Sequence, residues 1–171
     1  ESIRKTSSVK VILNITTDKC YENKEWPWGY RENDHMGGHD PYSSSKACSE
    51  LVSSAYRRSF FQESGIALAT ARAGNVIGGG DWAVDRIVPD AMRAFMSSKS
   101  LLVRNPKAVR PWQHVLEPLS GYLLLCQKLL NNPKDYANAW NFGPTDKDTQ
   151  PVSFLADFMM YSWGNNAKWH E

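Results

Sequence analysis

In Val9-Lys-Val-Ile-Leu-Asn-Ile-Thr-Thr-Asp-Lys19 a short run of aliphatic and β-branched residues gives way at once to two hydroxyls, an acid and a base. A run this short and apolar reads as a buried parallel strand over residues 9–15 that delivers polar side chains at its C-terminal end. Open parallel sheets bind their ligands beyond such ends. Downstream, residues 22–41 turn to Trp, Pro, Gly, Asp and His and read as a long loop, and ordered loops of that length are usually functional.

Asp40-Pro41 then opens a helix over residues 42–63, because proline fits the first helical turn. Residues 66–72 read as a second strand, 73–84 as loop, 85–97 as a helix interrupted near Pro89, and 101–104 as a short strand. A strongly amphipathic helix over 117–130 closes at Asn131-Asn132-Pro133, followed by a strand at 139–142 and a last helix at 152–163. Strands alternating with helices predict an α/β architecture with a largely parallel sheet.

With 171 residues, 42% of them hydrophobic, the chain is long enough for one sizeable core. Twenty Lys and Arg against eighteen Asp and Glu leave a net charge of +2 with no basic cluster, so nucleic acid and membrane surfaces are not indicated as partners. Cys20, Cys48 and Cys126 are odd in number and far apart, which suggests neither a disulfide framework nor a zinc site and fits a reducing cytoplasm. His35, His39 and His170 have no neighbours that imply a metal, and the seven tryptophans are expected to pack rather than to stack on bases. No apolar run approaches the roughly 20 residues of a membrane span, and the first residues lack a signal peptide's apolar stretch. The chain therefore reads as soluble and not exported.

Tyr42-Ser-Ser-Ser-Lys46 sets a phenol and an ammonium four residues apart on one helical face. A lysine there stabilises the phenolate, so Tyr42 is a candidate base. Thr17, at the end of the first strand, is a candidate for hydrogen-bonding the same substrate oxygen. A Thr or Ser at a strand end followed by YxxxK on the next helix resembles the active site of the short-chain dehydrogenases.

The resemblance extends to the family's extended, nucleotide-sugar branch. Its 4,6-dehydratases carry an acid pair after the Thr, and the members acting on cytidine diphosphate sugars carry Asp then Lys, as in Asp18-Lys19 here. A reaction that only moves a hydride has no need of that second acid and base. Arg72-Ala-Gly-Asn-Val-Ile-Gly78 resembles the family's RxxNxxG loop, which implies a diphosphate contact for Asn75 and close backbone approach at Gly78; Arg86, in the block that follows, goes with them to the substrate. Arg110-Pro-Trp112 is similar to an R-x-W stretch whose arginine grips phosphate, a task suited to a two-pronged guanidinium, while Trp112 and His114 are expected to pack and cap.

The resemblance implies NAD as cofactor, with Tyr42 and Lys46 at its ribose as well as in catalysis, and a homodimer as the assembly. It also implies that the chain is part of a longer protein: residues 1–72 would be the C-terminal part of a Rossmann-like NAD-binding domain, and residues 73–171 mainly a smaller nucleotide-sugar-binding portion, with 117–142 returning to the sheet. No GxGxxG follows a strand, and Gly78-Gly-Gly80 lacks that spacing, so this stretch does not cradle a dinucleotide by itself. Two other readings stay open: a nucleotide-sugar 4-epimerase, which would share Thr17, Tyr42 and Lys46 but not use Asp18 and Lys19, and a catalytically silent binding fragment.

Overall fold

The structure is a computed structural model that describes residues 1–6 and 8–171. In chain order it contains β1 (Val11–Ile15), a 3-10 turn (Asp18–Cys20), α1 (Pro41–Tyr56) with a π-helical turn after it (Arg57–Phe61), and β2 (Ala67–Ala73). Then come β3 (Val76–Ile77), α2 (Ile87–Met96), β4 (Leu101–Leu102), β5 (Val109–Pro111), β6 (Gln113–His114) and α3 (Leu116–Asn131). The chain finishes with α4 (Pro133–Tyr136), β7 (Ala139–Phe142), β8 (Thr149–Pro151), α5 (Val152–Trp163) and β9 (Trp169–His170). Two compact units result: Glu1–Gly74 with Leu116–Phe142, and Asn75–Val115 with Gly143–Glu171.

The first unit is a three-stranded, all-parallel sheet in the order β1-β2-β7, with Val11 opposite Ala67 and Thr70 opposite Ala139. Its central strand, Ala-Leu-Ala-Thr-Ala-Arg-Ala, is buried along its whole length, and the alternation separates two different faces. Ala67 and Ala69, with Val11 and Leu13 of β1, meet Leu125 and Leu129 of α3 in an apolar core. The opposite face is polar: Asn14 donates to the hydroxyls of Ser49 and Ser53 on α1 (3.1 and 2.8 Å), and Thr16 and Thr70 reach Glu50 of the same helix. Helix α1 accordingly buries Ser43, Ala47, Glu50 and Ser53 and turns Leu51 and Val52 outward. Its polarity is the reverse of an ordinary surface helix.

The second unit pairs β3 with β6, β5 with β8 and β4 with β9, and its core sets Ala91 and Phe95 of α2 against Leu101, Val103, and Ala156 and Met159 of α5. Two expectations need correction. Pro89 does not interrupt α2, because it falls in the first turn, where the missing N–H has no intrahelical partner to lose. Helix α3 is not amphipathic: Leu116, Leu119, Leu123, Leu124 and Leu130 are exposed while Leu125 and Leu129 are buried, so leucines lie all round it.

Candidate active site

Strand β1 does not stop at Ile15 in hydrogen-bonding terms, since the Thr16 amide still donates to the Ala71 carbonyl (2.8 Å). Thr17 remains extended and caps the turn that follows: its Oγ1 accepts from the Lys19 amide (3.3 Å) and donates to Asp18 Oδ1 (3.1 Å). The turn presents a buried hydroxyl, a half-buried carboxylate and an exposed ammonium on three successive residues. Behind them Cys20 and Tyr21 pack on Ala47, so the turn sits against α1 just past the Tyr42–Lys46 motif. Burial pushes the Cys20 thiol up to about 11, which leaves it a packing residue rather than a nucleophile.

Helix α1 starts where Asp40 accepts from the Ser43 amide (3.0 Å) and hydroxyl (2.6 Å), with Pro41 at the first helical position. Those bonds, the hydroxyl's first, hold the Asp40 carboxyl below its usual range, and the Lys19 ammonium adds to the effect. Lys19 and the start of α1 thus share one electrostatic neighbourhood. Within the helix, Lys46 Nζ stands 5.9 Å from the centroid of the Tyr42 ring, and that ring is 55% exposed. Gly38 lies so close to the helix start that a Cβ there would meet Ser44 N at 2.8 Å and Ser43 C at 2.9 Å, both backbone atoms. Gly38→Ala is expected to cost about 1–3 kcal/mol by overpacking, seen as a lower urea midpoint; an unchanged midpoint would show that α1 tolerates a shifted start.

The side chains that hold this arrangement are ones the sequence reading gave no role. Glu50, eight residues past Tyr42, forms an ion pair with Arg72 of β2 (2.8 Å), each side chain 1% exposed. Thr16 and Thr70 donate to the same carboxylate, and Arg72 Nη1 donates to Tyr21 Oη (2.7 Å) and to the Glu32 carbonyl (2.9 Å). Tyr21 Oη in turn donates to Asn141 Oδ1 of β7 (2.6 Å). Burial alone would raise the Glu50 carboxyl, but the bonds from Arg72, Thr16 and Thr70 outweigh it and hold the group below the ordinary glutamate range. Arg72 is burdened by the same burial, yet Glu50 and Tyr21 keep it more firmly protonated than a free arginine. The available signal was a charged residue inside the small-residue stripe Ser43, Ala47, Ser53, and another inside an alanine strand.

Of the residues assigned to the substrate, all three belong to the second unit. Asn75 is half-buried before β3, and its carbonyl accepts from the Gln113 amide (3.0 Å). Arg86 precedes α2 and pairs with Asp81 (3.2 Å) on the surface, and Arg110 lies in β5 with Nη1 on the Val109 carbonyl (2.9 Å). Trp112 packs and donates to the Gln150 carbonyl (3.1 Å). Gly78 is required by packing: a Cβ there would meet Val115 Cγ1 at 2.8 Å. Among the described residues no three His, Cys, Asp or Glu converge to hold a metal, and no helix is long and apolar enough to cross a membrane.

A parallel α/β sheet, a hydroxyl–acid–base turn beyond its first strand and a tyrosine–lysine helix beside that turn define a class. The chain belongs to the NAD dependent epimerase/dehydratase family, whose model matches residues 1–143. It is 52% identical over 174 residues to a CDP-glucose 4,6-dehydratase of Salmonella typhimurium, covering 99% of this chain and 48% of that protein. In fold it is similar to dTDP-glucose 4,6-dehydratase from Bacillus anthracis in complex with NAD (TM-score 0.79, 18% identity, 99% of this chain and 51% of that one). It is also similar to UDP-glucose 4-epimerase of Thermus thermophilus in complex with NAD (TM-score 0.77, 17% identity, 99% and 53%). The chain therefore spans about half the length of the relatives it matches.

Proposed function

We propose that the full-length protein removes water from CDP-glucose to give CDP-4-keto-6-deoxyglucose, with NAD as a cofactor that is returned unchanged. The observation that carries this reading is the turn after β1, where Asp18 and Lys19 follow a buried Thr17 hydroxyl against the helix of Tyr42 and Lys46. The relative at 52% identity that is named for this activity supports the same substrate.

Lys46 stabilises the Tyr42 phenolate, which takes the proton of the sugar C4 hydroxyl while Thr17 holds that oxygen by a hydrogen bond. Held at its ribose by Tyr42 and Lys46, NAD would supply the hydride acceptor for C4 and, once reduced, the hydride donor for C6. The C4 ketone acidifies the C5 proton, which Lys19 removes while Asp18 protonates the departing C6 hydroxyl as water. As C6 is reduced, Lys19 returns a proton to C5, and the proton that Tyr42 took passes through solvent to Asp18, so every group ends as it began and the net change is the loss of one water. Tyr42, exposed at the start of α1, and half-buried Lys46 one turn further on fit the hydroxyls of a nicotinamide ribose; the glycine turn that would grip the dinucleotide's diphosphate is not among this chain's motifs. Asn75 and Arg110 are assigned to the substrate diphosphate, and Arg86 to the substrate.

The setting is a cytoplasmic step of deoxysugar supply for lipopolysaccharide; three unpaired cysteines are compatible with a reducing compartment. The assembly is a homodimer through α1, whose outward Leu51 and Val52 are more than half exposed. Neither nucleic acid nor membrane is a partner.

The test offers the full-length protein CDP-, dTDP-, UDP- and GDP-glucose separately in deuterated water with NAD. Only CDP-glucose should be consumed, giving a 4-keto-6-deoxy product with solvent deuterium at C5 and the C4 hydrogen at C6. Inversion at C4 without loss of water would make the protein an epimerase. Absence of turnover with all four sugars would leave a binding protein.

A further inference from the structure

We infer that Tyr21 is a positioning residue for the elimination step, holding Asp18 and Lys19 in place through the buried Glu50–Arg72 pair; this rests on the dehydratase reading above. The segment 16–21 is anchored at both ends to that pair. At one end Thr16 donates to Glu50, and at the other Tyr21 Oη accepts from Arg72 (2.7 Å) and donates to Asn141 (2.6 Å). The Tyr21 ring lies 5.0 Å from the Arg72 guanidinium and stacks at 5.1 Å on Tyr30.

Between the two anchors the turn carries the Thr17 cap on the Lys19 amide (3.3 Å) and Cys20, whose side chain packs on Ala47 and whose carbonyl accepts from the Gly37 amide (3.0 Å). Its backbone bonds, Cys20 N to Thr17 O and Tyr21 N to Asp18 O, are both 3.3 Å long. A single 3-10 turn is a weak element, so the placement of Asp18 and Lys19 is imported from the residues that fix its ends. Tyr42 and Lys46 are placed differently. They belong to a capped 16-residue helix that holds its own shape. Loosening the Tyr21 anchor should therefore disturb the acid and base of water loss while sparing the tyrosine that starts the oxidation at C4.

Tyr21→Phe in the full-length protein separates the two, because it keeps the ring and deletes only the hydroxyl, while Arg72 Nη1 retains the Glu32 carbonyl (2.9 Å). In a single turnover of CDP-glucose, reduced nicotinamide should accumulate in the variant, with water loss slower by about tenfold or more and KM within about twofold of the parent. In the protein without substrate, amide exchange at Cys20 and Tyr21 should quicken by about tenfold while the amides of α1 keep their rates. Parent-like kinetics and exchange would overturn the inference, as would a uniform loss of rate with faster exchange across α1, which marks general loosening. If Tyr21→Phe does not fold, Asn141→Ala, which removes the acceptor of the Tyr21 hydroxyl and leaves the Glu50–Arg72 pair in place, is read by the same two measurements. A parent protein that releases no water from CDP-glucose refutes the functional reading instead, and the exchange experiment still decides whether Tyr21 anchors the turn.

Discussion

Glu50→Ala is expected to destabilise the protein by about 3–5 kcal/mol, because it leaves the Arg72 guanidinium charged, buried and stripped of its counter-ion. Against a total stability of roughly 5–15 kcal/mol, that is between about a fifth and the whole of it. Urea unfolding of the full-length protein checks it. The cost comes from the unpaired charge, so Glu50→Leu combined with Arg72→Met should cost less than the two single changes added together; additivity would mean that the two groups act independently. The pair also predicts an acid limb. The Glu50 carboxyl is held below its ordinary range in the folded state, so its stabilisation is complete above the unfolded glutamate value of about 4.3 and fades as pH falls through the lower folded value. Glu50→Gln should flatten that limb, and an unaltered acid profile would assign it to other carboxylates.

Lys19→Ala and Asp18→Asn are expected to slow dehydration of CDP-glucose by about 10²–10⁴-fold, the range lost when a positioned acid or base is removed. Both side chains belong to the turn capped by Thr17 and neither is part of the buried pair, so thermal midpoints should stay close to that of the parent. Reduction of NAD by the substrate's C4 hydrogen should persist in both variants, since Thr17, Tyr42 and Lys46 remain to run the reversible oxidation. Full dehydration by either variant would remove that residue from the mechanism. Loss of NAD reduction together with dehydration would place the two side chains in substrate binding instead.

Several features of the fold were readable from local signals. The apolar run ending in Thr16-Thr17 marked a strand with polar groups at its C-terminal end, and Asp40-Pro41 marked the start of the Tyr42–Lys46 helix, because caps and short apolar runs act over neighbouring residues. Pro89 was misjudged by position alone: two residues decide whether a proline breaks a helix or fits its first turn. The reach of α3's leucines was misjudged because a chain rich in leucine gives the same pattern whether or not every leucine is buried.

The amino-acid sequence by itself determined the parallel α/β class, the hydroxyl, acid and base beyond the first strand, and the tyrosine and lysine one helical turn apart, since each is written within a few consecutive residues. Only the tertiary structure decided that Glu50 points inward, that Arg72 meets it across 22 positions of sequence, and that Tyr21 hangs from that pair. A charged residue is buried only where a partner waits, and that partner's position is set by the pairing of β1, β2 and β7 and by the face on which α1 lands, neither of which is written in the residues next to Glu50.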